Sequence, residues 1–272
     1  MGSARVAGRY LLLVVCAAIV FLPIYTAVVV SIQPATRLLQ FPSVLIPSEI
    51  DLGVFARAYD TGRLGRYLLN SALVSTVIVA GQLVTSVLAA YAFAYLAFPA
   101  KRWVFLAFLA TLMIPSEVTL VANYETVQRL GWLDTYQVLA VPFLATAFGT
   151  FLLRQSFLQV PQDLRDAAAL DGYGHRGFLF GVALPLARPA LGALTVFSFL
   201  LAWNQYLWPL LVTNDSSHRT VQIGLKSLIS TNIDELNLVM AGTVLAGLPI
   251  FVLLLVFQRQ LVRGLTSGAV KG

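Results

Sequence analysis

The sequence predicts an all-α integral membrane protein with six transmembrane helices, and two observations support this prediction. Apolar residues make up 58% of the 272 residues and charged residues 11%, a balance that would leave a soluble domain of this length poorly soluble. Apolar segments also recur along the whole chain, and no stretch between them is long enough for a separate soluble domain. The simplest organisation is a single transmembrane domain over residues 1–272.

Six segments meet or approach the length of about 20 apolar residues that a helix needs to cross a hydrocarbon layer roughly 30 Å thick. Five of them contain no charged residue, and the third carries Glu117 close to its end, where a carboxylate reaches water. Pro115, Pro209 and Pro249 lie within or at the edges of spans and favour kinks. The predicted spans are residues 10–32, 70–96, 103–121, 138–153, 189–212 and 236–257.

The first apolar segment follows Arg5 and Arg9, as the core of a secretory signal peptide does. It continues to Ile32, however, and is followed by Gln33 and Pro34 rather than by a small-residue cleavage site. We therefore interpret it as a spanning helix.

The distribution of Lys and Arg predicts the orientation, because translocated loops are poor in these residues. The two termini and the loops after the second and fourth spans together hold 11 of the 18 Lys and Arg residues. Both termini and the long loop between the fourth and fifth spans are therefore expected in the cytoplasm. The outer segments are residues 33–69, 122–137 and 213–235.

Several other classes of function lack the residues they need. Cys16 is the single cysteine, so it has no partner for a disulfide and is best explained by packing. The net charge of +6 comes from scattered basic residues beside apolar spans, which indicates membrane orientation rather than nucleic-acid binding. The chain has no His-Glu-x-x-His helix, glycine-framed serine or nucleotide-binding glycine loop. We therefore expect a chain that is not an enzyme and holds no metal.

Residues 160–189, between the fourth and fifth spans, are too polar to span a membrane and too patterned for an ordinary linker. Pro161 suits a first helical turn, and Asp163 opposes the helix macrodipole there. A glycine at Gly172 permits the left-handed turn that ends a short helix, and a second helix can run from His175 to Pro185. An apolar face on such a helix pair needs a protein partner or the membrane surface.

The loop contains the run Asp166-Ala-Ala-Ala-Leu-Asp171-Gly172, followed by Phe178 and Pro185. This run is similar to the EAA loop of ABC importer permeases, and the similarity implies a location in a bacterial plasma (inner) membrane. The resemblance implies a type I ABC importer permease (MetI-like) fold, in which cytoplasmic coupling helices, here about residues 160–185, sit in a cleft of the ATP-binding subunit. The family's first motif position is usually Glu, and this chain keeps a carboxylate there with one methylene fewer. The matching positions are Asp166, Ala167, Ala168, Asp171, Gly172, Phe178 and Pro185.

The whole chain is similar to the MalG-like half of carbohydrate importers. Its closing run, residues 264–272, resembles the tail that extends between the ATPase subunits in that family. The matching residues are Gly264, Leu265, Thr266 and Lys271. Residues 151–161, 113–118, 123–125 and 203–211 are closer still to the glycerol-3-phosphate branch of the family. The resemblance implies that the solute is glycerol 3-phosphate or a glycerophosphodiester such as glycerophosphocholine, with an oligosaccharide or disaccharide as the alternative.

Polar groups inside a bilayer are costly unless they are paired or face a cavity, so amides in the fifth span need an explanation. Asn204 and Gln205, with Trp203, Tyr206 and Trp208, either line a translocation cavity or make interhelical hydrogen bonds beside an interfacial aromatic belt. No Lys or Arg lies deep within a span. Tight binding of a phosphate is therefore expected from the binding protein, the partner subunit or residues of the outer segments.

Family resemblance also implies that the outer segment 213–235 contacts the solute-binding protein, because its counterpart in the family reaches into the cleft of that protein. The residues concerned are Asn214, Asp215, Ser216 and Lys226. The alternative is a plain tether between the fifth and sixth spans.

The expected partners follow from the same resemblance. They are a homologous second permease subunit, two copies of an ATP-binding subunit that hold ATP and Mg²⁺, an extracytoplasmic solute-binding protein, the lipid bilayer and a small polar substrate. An ion-coupled secondary transporter is the rival, but such proteins place ionisable groups near the bilayer midplane and this chain shows none there.

Overall fold

A computed structural model describes residues 2–38, 46, 47, 49–231 and 235–266. The described residues form helices and the turns between them, without a strand. The helices are α1 Gly2–Ser31, α2 Ala35–Leu38, α3 Gly53–Thr61, α4 Leu64–Tyr95, α5 Lys101–Ala110, α6 Ser116–Arg129, α7 Tyr136–Ala140, α8 Ala147–Leu158, α9 Gln162–Leu170, α10 His175–Phe178, α11 Leu184–Leu186, α12 Arg188–Trp203, α13 Leu207–Val212, α14 Val221–Thr231 and α15 Leu236–Thr266. Thr111–Met113 and Val141–Phe143 are 3₁₀ turns, and Leu179–Ala183 is a π-helical turn.

Three helices are long and apolar enough to cross a bilayer without interruption: Val6–Ser31, Leu64–Tyr95 and Leu236–Gln260. Three bent helix pairs raise the number of candidate spans among the described residues to as many as six. The all-helical membrane class predicted from composition is therefore confirmed.

The predicted span over residues 103–121 is sharply bent in the structure, at the proline that the sequence marks as a kink site. The chain bends by 97° between the segments Lys101–Met113 and Ser116–Arg129. The break falls at Ile114, whose backbone is extended, and at Pro115. Proline forces the preceding residue out of the helical region and has no N–H to donate, so a helix ends there.

The predicted span over residues 138–153 is also bent, by 42° between Tyr136–Phe143 and Ala147–Leu158. Pro142 lies in the 3₁₀ turn that closes the first half. Its missing N–H leaves one helical hydrogen bond unmade, which explains the change of helix type at this point.

The predicted span over residues 189–212 is two helices rather than one. α12 ends at Trp203 and α13 begins at Leu207, so residues 204–206 lie outside both helices. Pro209 has no N–H to donate to the carbonyl of Gln205, four residues earlier, and an unbroken helix through this stretch would lose that bond. A second bend, of 76°, separates His175–Leu186 from α12.

The chain divides into two compact units. The first comprises residues 1–68 and 221–249. Its centre is apolar, with Val54, Leu64 and Leu228 all buried. Gly224 lets α14 approach Tyr67, because a Cβ at this glycine would lie 2.5 Å from a ring carbon of the tyrosine.

The second unit comprises residues 69–220 and 250–272, and two apolar clusters occupy its described part. One joins the end of α4 to α8 and the segment 168–187, with Leu153, Phe157 and Phe178 among its buried members. The other packs the middle of α4 against α7 and α13, through Ile78, Leu139 and Val212. All candidate site residues between 113 and 217 lie in this unit.

Candidate functional site

The segment between α8 and α12 folds as the predicted pair of short helices. α9 begins after Pro161, with Asp163 in its first turn. Gly172, at φ +80°, takes the left-handed conformation expected after a helix end. The turn is closed by the amide of Tyr173, which donates to the carbonyl of Ala168 over 2.9 Å.

The residues predicted to contact the ATPase divide into an inner and an outer set. Ala168 and Phe178 are buried in the cluster with Phe157 and hold the helix pair against the rest of the unit. Pro185 is half-buried. The outer set is exposed: Asp166, Ala167, Asp171 and Gly172. Leu170, between the two carboxylates in sequence, is 90% exposed, so the outer face is apolar at its centre and acidic beside it.

Aromatic residues at the end of α4 bind this helix pair. The hydroxyl of Tyr91 lies 3.0 Å from Nδ1 of His175, within hydrogen-bonding distance. The hydroxyl of Tyr95 donates to the carbonyl of Phe157 over 2.6 Å, and its ring meets the Phe178 ring edge-on at 5.2 Å. The guanidinium of Arg165 lies 5.5 Å from the centre of the Tyr95 ring. A long membrane helix is thereby connected to both halves of the pair.

A second candidate site is a cavity of about 580 Å³ at the helix breaks near Pro115 and residues 204–206. Non-helical backbone at membrane depth is tolerated where it is buried in protein or lines a cavity, so two breaks on one cavity fit a translocation path. Its polar lining residues are Ser116, Glu117, Thr119, Asn123, Asn204 and Gln205. Its aromatic lining residues are Phe143, Tyr206 and Trp208.

Four of the five residues predicted for the substrate pathway line this cavity, and Trp203 does not. Trp203 is 1% exposed and stacks on Phe199, with ring centres 5.3 Å apart. Trp208 is largely buried, and its Nε1 donates to the carbonyl of Val138 over 2.9 Å. Asn204 Nδ2 donates to the carbonyl of Leu200 over 2.8 Å. Packing and cavity roles therefore coexist in this segment.

The charged group that lines the cavity among the described residues is negative. Glu117 supplies a carboxylate, Ser116 donates its hydroxyl to that carboxylate over 3.2 Å, and no Lys or Arg is among the lining residues in the described chain. Amides and hydroxyls of this kind bind the hydroxyl groups of a polyol, and aromatic rings pack against its carbon skeleton.

The loop after α13 is held by two residues that the sequence did not single out. Asp134 Oδ1 accepts from the backbone amides of Asn214, over 2.5 Å, and Asp215, over 2.7 Å. Asn70 Nδ2 donates to the carbonyls of Ser217, over 2.8 Å, and Arg219, over 2.9 Å. The loop therefore displays exposed Asn214 and Asp215, with Ser216 half-buried, on a backbone fixed from within the unit.

The remaining predicted contact residues are not part of that loop. Lys226 is exposed on α14, which belongs to the first unit. Gly264, Leu265 and Thr266 form the end of α15. Lys271 lies outside the described residues. Within the described residues no group of three or more His, Cys, Asp or Glu side chains is placed to hold a metal ion.

Comparison with known proteins decides the family. The family described as binding-protein-dependent transport system inner membrane component matches residues 67–267. The chain belongs to this family. It is thus a multi-pass, non-catalytic permease subunit of an ABC importer of the inner membrane, as the loop motif predicted.

Named relatives of this permease are similar over nearly their full length. The sn-glycerol-3-phosphate transport system permease protein UgpE of Yersinia pestis bv. Antiqua (strain Antiqua) is 36% identical over 266 residues, 95% of each chain. The protein of the same name from Brucella abortus (strain 2308) is 35% identical over 267 residues, again 95% of each chain.

Two solved structures share the fold of the permease. A bacterial ABC transporter that imports the acidic polysaccharide alginate matches with a TM-score of 0.83 at 22% identity, over 95% of this chain and 98% of that one. A bacterial alginate ABC transporter in complex with an alginate pentasaccharide-bound periplasmic protein matches with a TM-score of 0.65 at 12% identity, over 93% and 92%. At these identities the likeness shows the fold.

Sequence reasoning missed a polar network inside the permease. Gln82 Nε2 donates to the carbonyl of Phe143 over 2.8 Å, and Ser198 donates its hydroxyl to Gln82 Oε1 over 2.6 Å. Thr85 donates to the carbonyl of Leu144 over 2.9 Å. These bonds satisfy carbonyls beside the bend at Pro142. The available signal was a glutamine and a threonine inside an otherwise apolar span.

Proposed function

We propose that this permease carries glycerol 3-phosphate or a glycerophosphodiester such as glycerophosphocholine, delivered by an extracytoplasmic solute-binding protein. The observation that carries the proposal is the 36% identity over 95% of both chains with a relative named for sn-glycerol-3-phosphate transport. Because the similarity extends over nearly the full length of both chains, it supports a shared translocation pathway as well as a shared fold.

The chemistry of the cavity supports a glycerol moiety as the part of the solute that this chain contacts. Asn204 and Gln205 offer amide donors and acceptors for hydroxyl groups, and Tyr206 offers a ring and a hydroxyl. No lining residue is cationic, so the negative charge of a phosphate is balanced by the partner permease or the binding protein.

In the proposed mechanism the helix pair at residues 160–186 faces the cytoplasm and docks on an ATP-binding subunit through Asp166, Asp171 and the exposed Leu170. ATP and Mg²⁺ are held by two such subunits, and their closure pushes on the pair. Tyr91 and Tyr95 pass this movement to α4, because they contact His175 and Phe178 of the second helix and Tyr95 also contacts Arg165 of the first. A homologous second permease completes the path, the tail from Gly264 onward contacts the ATPase subunits, and Asn214, Asp215, Ser216 and Lys226 meet the binding protein.

A carbohydrate is the second candidate solute, and two features of the cavity favour it. Phe143, Tyr206 and Trp208 provide the aromatic faces on which sugar rings pack, and the Glu117 carboxylate repels a phosphate while accepting hydrogen bonds from hydroxyls.

The deciding experiment reconstitutes the permease with its partner subunits and cognate binding protein in proteoliposomes. ATP-dependent uptake is measured for glycerol 3-phosphate, glycerophosphocholine and maltose, with an ATPase-inactive complex as control. We expect uptake of at least one of the glycerol phosphates and none of maltose. Uptake of maltose alone would reject the substrate proposal, and uptake that persists without ATP hydrolysis would reject the mechanism.

A further inference from the structure

Three cationic side chains line a second, smaller cavity of the same unit, away from the translocation cavity. Lys101 and Arg102 open α5, and Arg154 lies on α8. The cavity has a volume of about 310 Å³, and its remaining walls are Phe93, Phe105 and Leu106. Basic groups on an apolar, aromatic floor are an unusual combination for a surface that meets water alone.

Arg154 is held by two contacts that leave part of its guanidinium able to donate to a ligand. Its Nε donates to the carbonyl of Phe93 over 3.2 Å, and its guanidinium carbon lies 4.3 Å from the centre of the Phe105 ring. Among the described residues its two terminal nitrogens have no hydrogen-bond partner. A guanidinium fixed in this way presents a fork that matches the oxygens of a phosphate.

Lys101 and Arg102 add charge that the described residues leave uncompensated. Lys101 Nζ donates to the carbonyls of Leu96, over 2.7 Å, and Ala94, over 3.5 Å, which leaves one of its three donors for a ligand. Arg102 is exposed. The ion pairs of Arg57 with Asp51 and of Arg129 with Glu125 involve no cation of this cavity.

The surface beside the cavity is apolar. α5 has no buried residue, and Trp103 is 72% exposed, next to exposed Val104 and Leu106. Tryptophan is enriched at the level of the lipid headgroups, where an amphipathic ring has one wet and one apolar side. A cluster of cations that continues into an exposed apolar helix face matches the shape of a phospholipid, which has a charged head and apolar tails.

We propose that this cavity binds the phosphate of an anionic phospholipid, with the acyl chains along the exposed face of α5. Basic pockets between transmembrane helices bind such headgroups, and each basic residue near the membrane surface contributes about a fivefold gain in affinity. The lipid site is independent of the transported solute, and requires only that α5 is inserted in a bilayer.

Native mass spectrometry of the assembled transporter, released from nanodiscs that contain phosphatidylglycerol and phosphatidylcholine, tests the proposal. We expect selective retention of phosphatidylglycerol. Retention should fall about fivefold in Arg154→Gln and about thirtyfold in the double variant Lys101→Gln, Arg154→Gln. Arg66→Gln is the matched control, because Arg66 is exposed in the first turn of α4, whereas the cavity lies at the last turn of that helix. This variant should retain the lipid fully. Arg102→Gln, which removes an exposed cation of the same cavity, covers the case in which Arg154→Gln fails to fold.

Three outcomes would overturn the lipid assignment. The first is equal retention of phosphatidylglycerol in Arg102→Gln, the double variant and the control. The second is displacement of the lipid by millimolar inorganic phosphate, which would assign the cavity to a free phosphate. The third is loss of the ATP-binding subunits from the complex in Arg102→Gln with the lipid retained, which would assign the cations to a protein contact.

Discussion

The hydroxyl of Tyr91 and Nδ1 of His175 lie 3.0 Å apart, and their rings meet edge-on with centres 6.0 Å apart. Tyr91 is in the last turns of the long helix α4. His175 begins α10, the second helix of the pair at residues 160–186, which is called the docking pair below. This contact and the Tyr95 contacts join a membrane-crossing helix to the segment that carries the family motif. The contacts therefore fix the second helix of the pair to the end of α4.

Tyr91→Phe should weaken the connection between ATP hydrolysis and transport. The substitution removes one hydrogen bond and keeps the ring, at a cost of about 0.5–1.5 kcal/mol, or up to roughly tenfold in an equilibrium. We expect uptake per ATP hydrolysed to fall by up to that factor while assembly is unchanged. Tyr10→Phe is the control, since Tyr10 is exposed on α1. An unchanged ratio of uptake to hydrolysis would show that the Tyr91 contact carries no force.

Charge reversal on the outer face of the docking pair should have a larger effect. Asp166 and Asp171 are exposed beside Leu170, and a charge-assisted hydrogen bond contributes about 1.5–3 kcal/mol. Asp166→Lys or Asp171→Lys should lower coupled uptake by roughly ten- to hundredfold, through loss of ATPase binding or of stimulated hydrolysis. Asp60→Lys is the control, because Asp60 is an exposed residue of α3 outside the docking pair. If both activities survive unchanged in the two variants, the docking role is wrong.

The sequence was sufficient to predict the membrane class and the pair of short helices at residues 162–186 because each depends on local pattern. Apolar length marks a candidate span, and Gly172 marks the end of α9 by its backbone conformation alone. The breaks at Pro115 and at residues 204–206 were less predictable. Proline in a span is compatible with a mild kink or with a 97° bend, and neighbouring helices decide between them.

Side-chain contacts between distant segments were beyond sequence reasoning. Trp203 and Trp208 stand five residues apart in one aromatic run, yet one stacks on Phe199 and the other lines the cavity. The contact of His175 with Tyr91 has no local signal in the sequence, because the two residues are 84 positions apart. Tertiary packing supplies this information.

Replacing the cavity amides should impair transport and spare assembly. Asn204→Leu and Gln205→Leu remove donors and acceptors for solute hydroxyls, each worth about 0.5–1.5 kcal/mol, so initial uptake should fall by up to roughly tenfold per variant. Thr243→Val is the matched control, because the Thr243 hydroxyl bonds the carbonyl of Val239 within its own helix. Normal uptake with both leucines present would count against a cavity role for these amides.

Glu117→Gln tests the charge of the solute. A carboxylate repels an anion by about 1 kcal/mol at 4 Å in water, so removing it should lower the KM for glycerol 3-phosphate by about two- to fivefold. Uptake of glycerophosphocholine, which has no net charge, should change less. The ratio of the two KM values, measured on one preparation, is the informative quantity. A rise in KM for both solutes would instead assign Glu117 to hydroxyl binding.

Gln82→Leu should destabilise the helix bundle beside the Pro142 bend. The side chain accepts from Ser198 over 2.6 Å and donates to the carbonyl of Phe143 over 2.8 Å, so leucine leaves both groups without that partner. Such interhelical bonds contribute about 0.6–2 kcal/mol in membranes, which predicts a fall of roughly 2–8 °C in the melting temperature of the purified complex. Gln258→Leu is the control, since Gln258 is exposed and bonds the carbonyl of Leu255 in its own helix. Equal melting temperatures for the two variants would mean that water or relaxation of the bend satisfies Phe143 without Gln82.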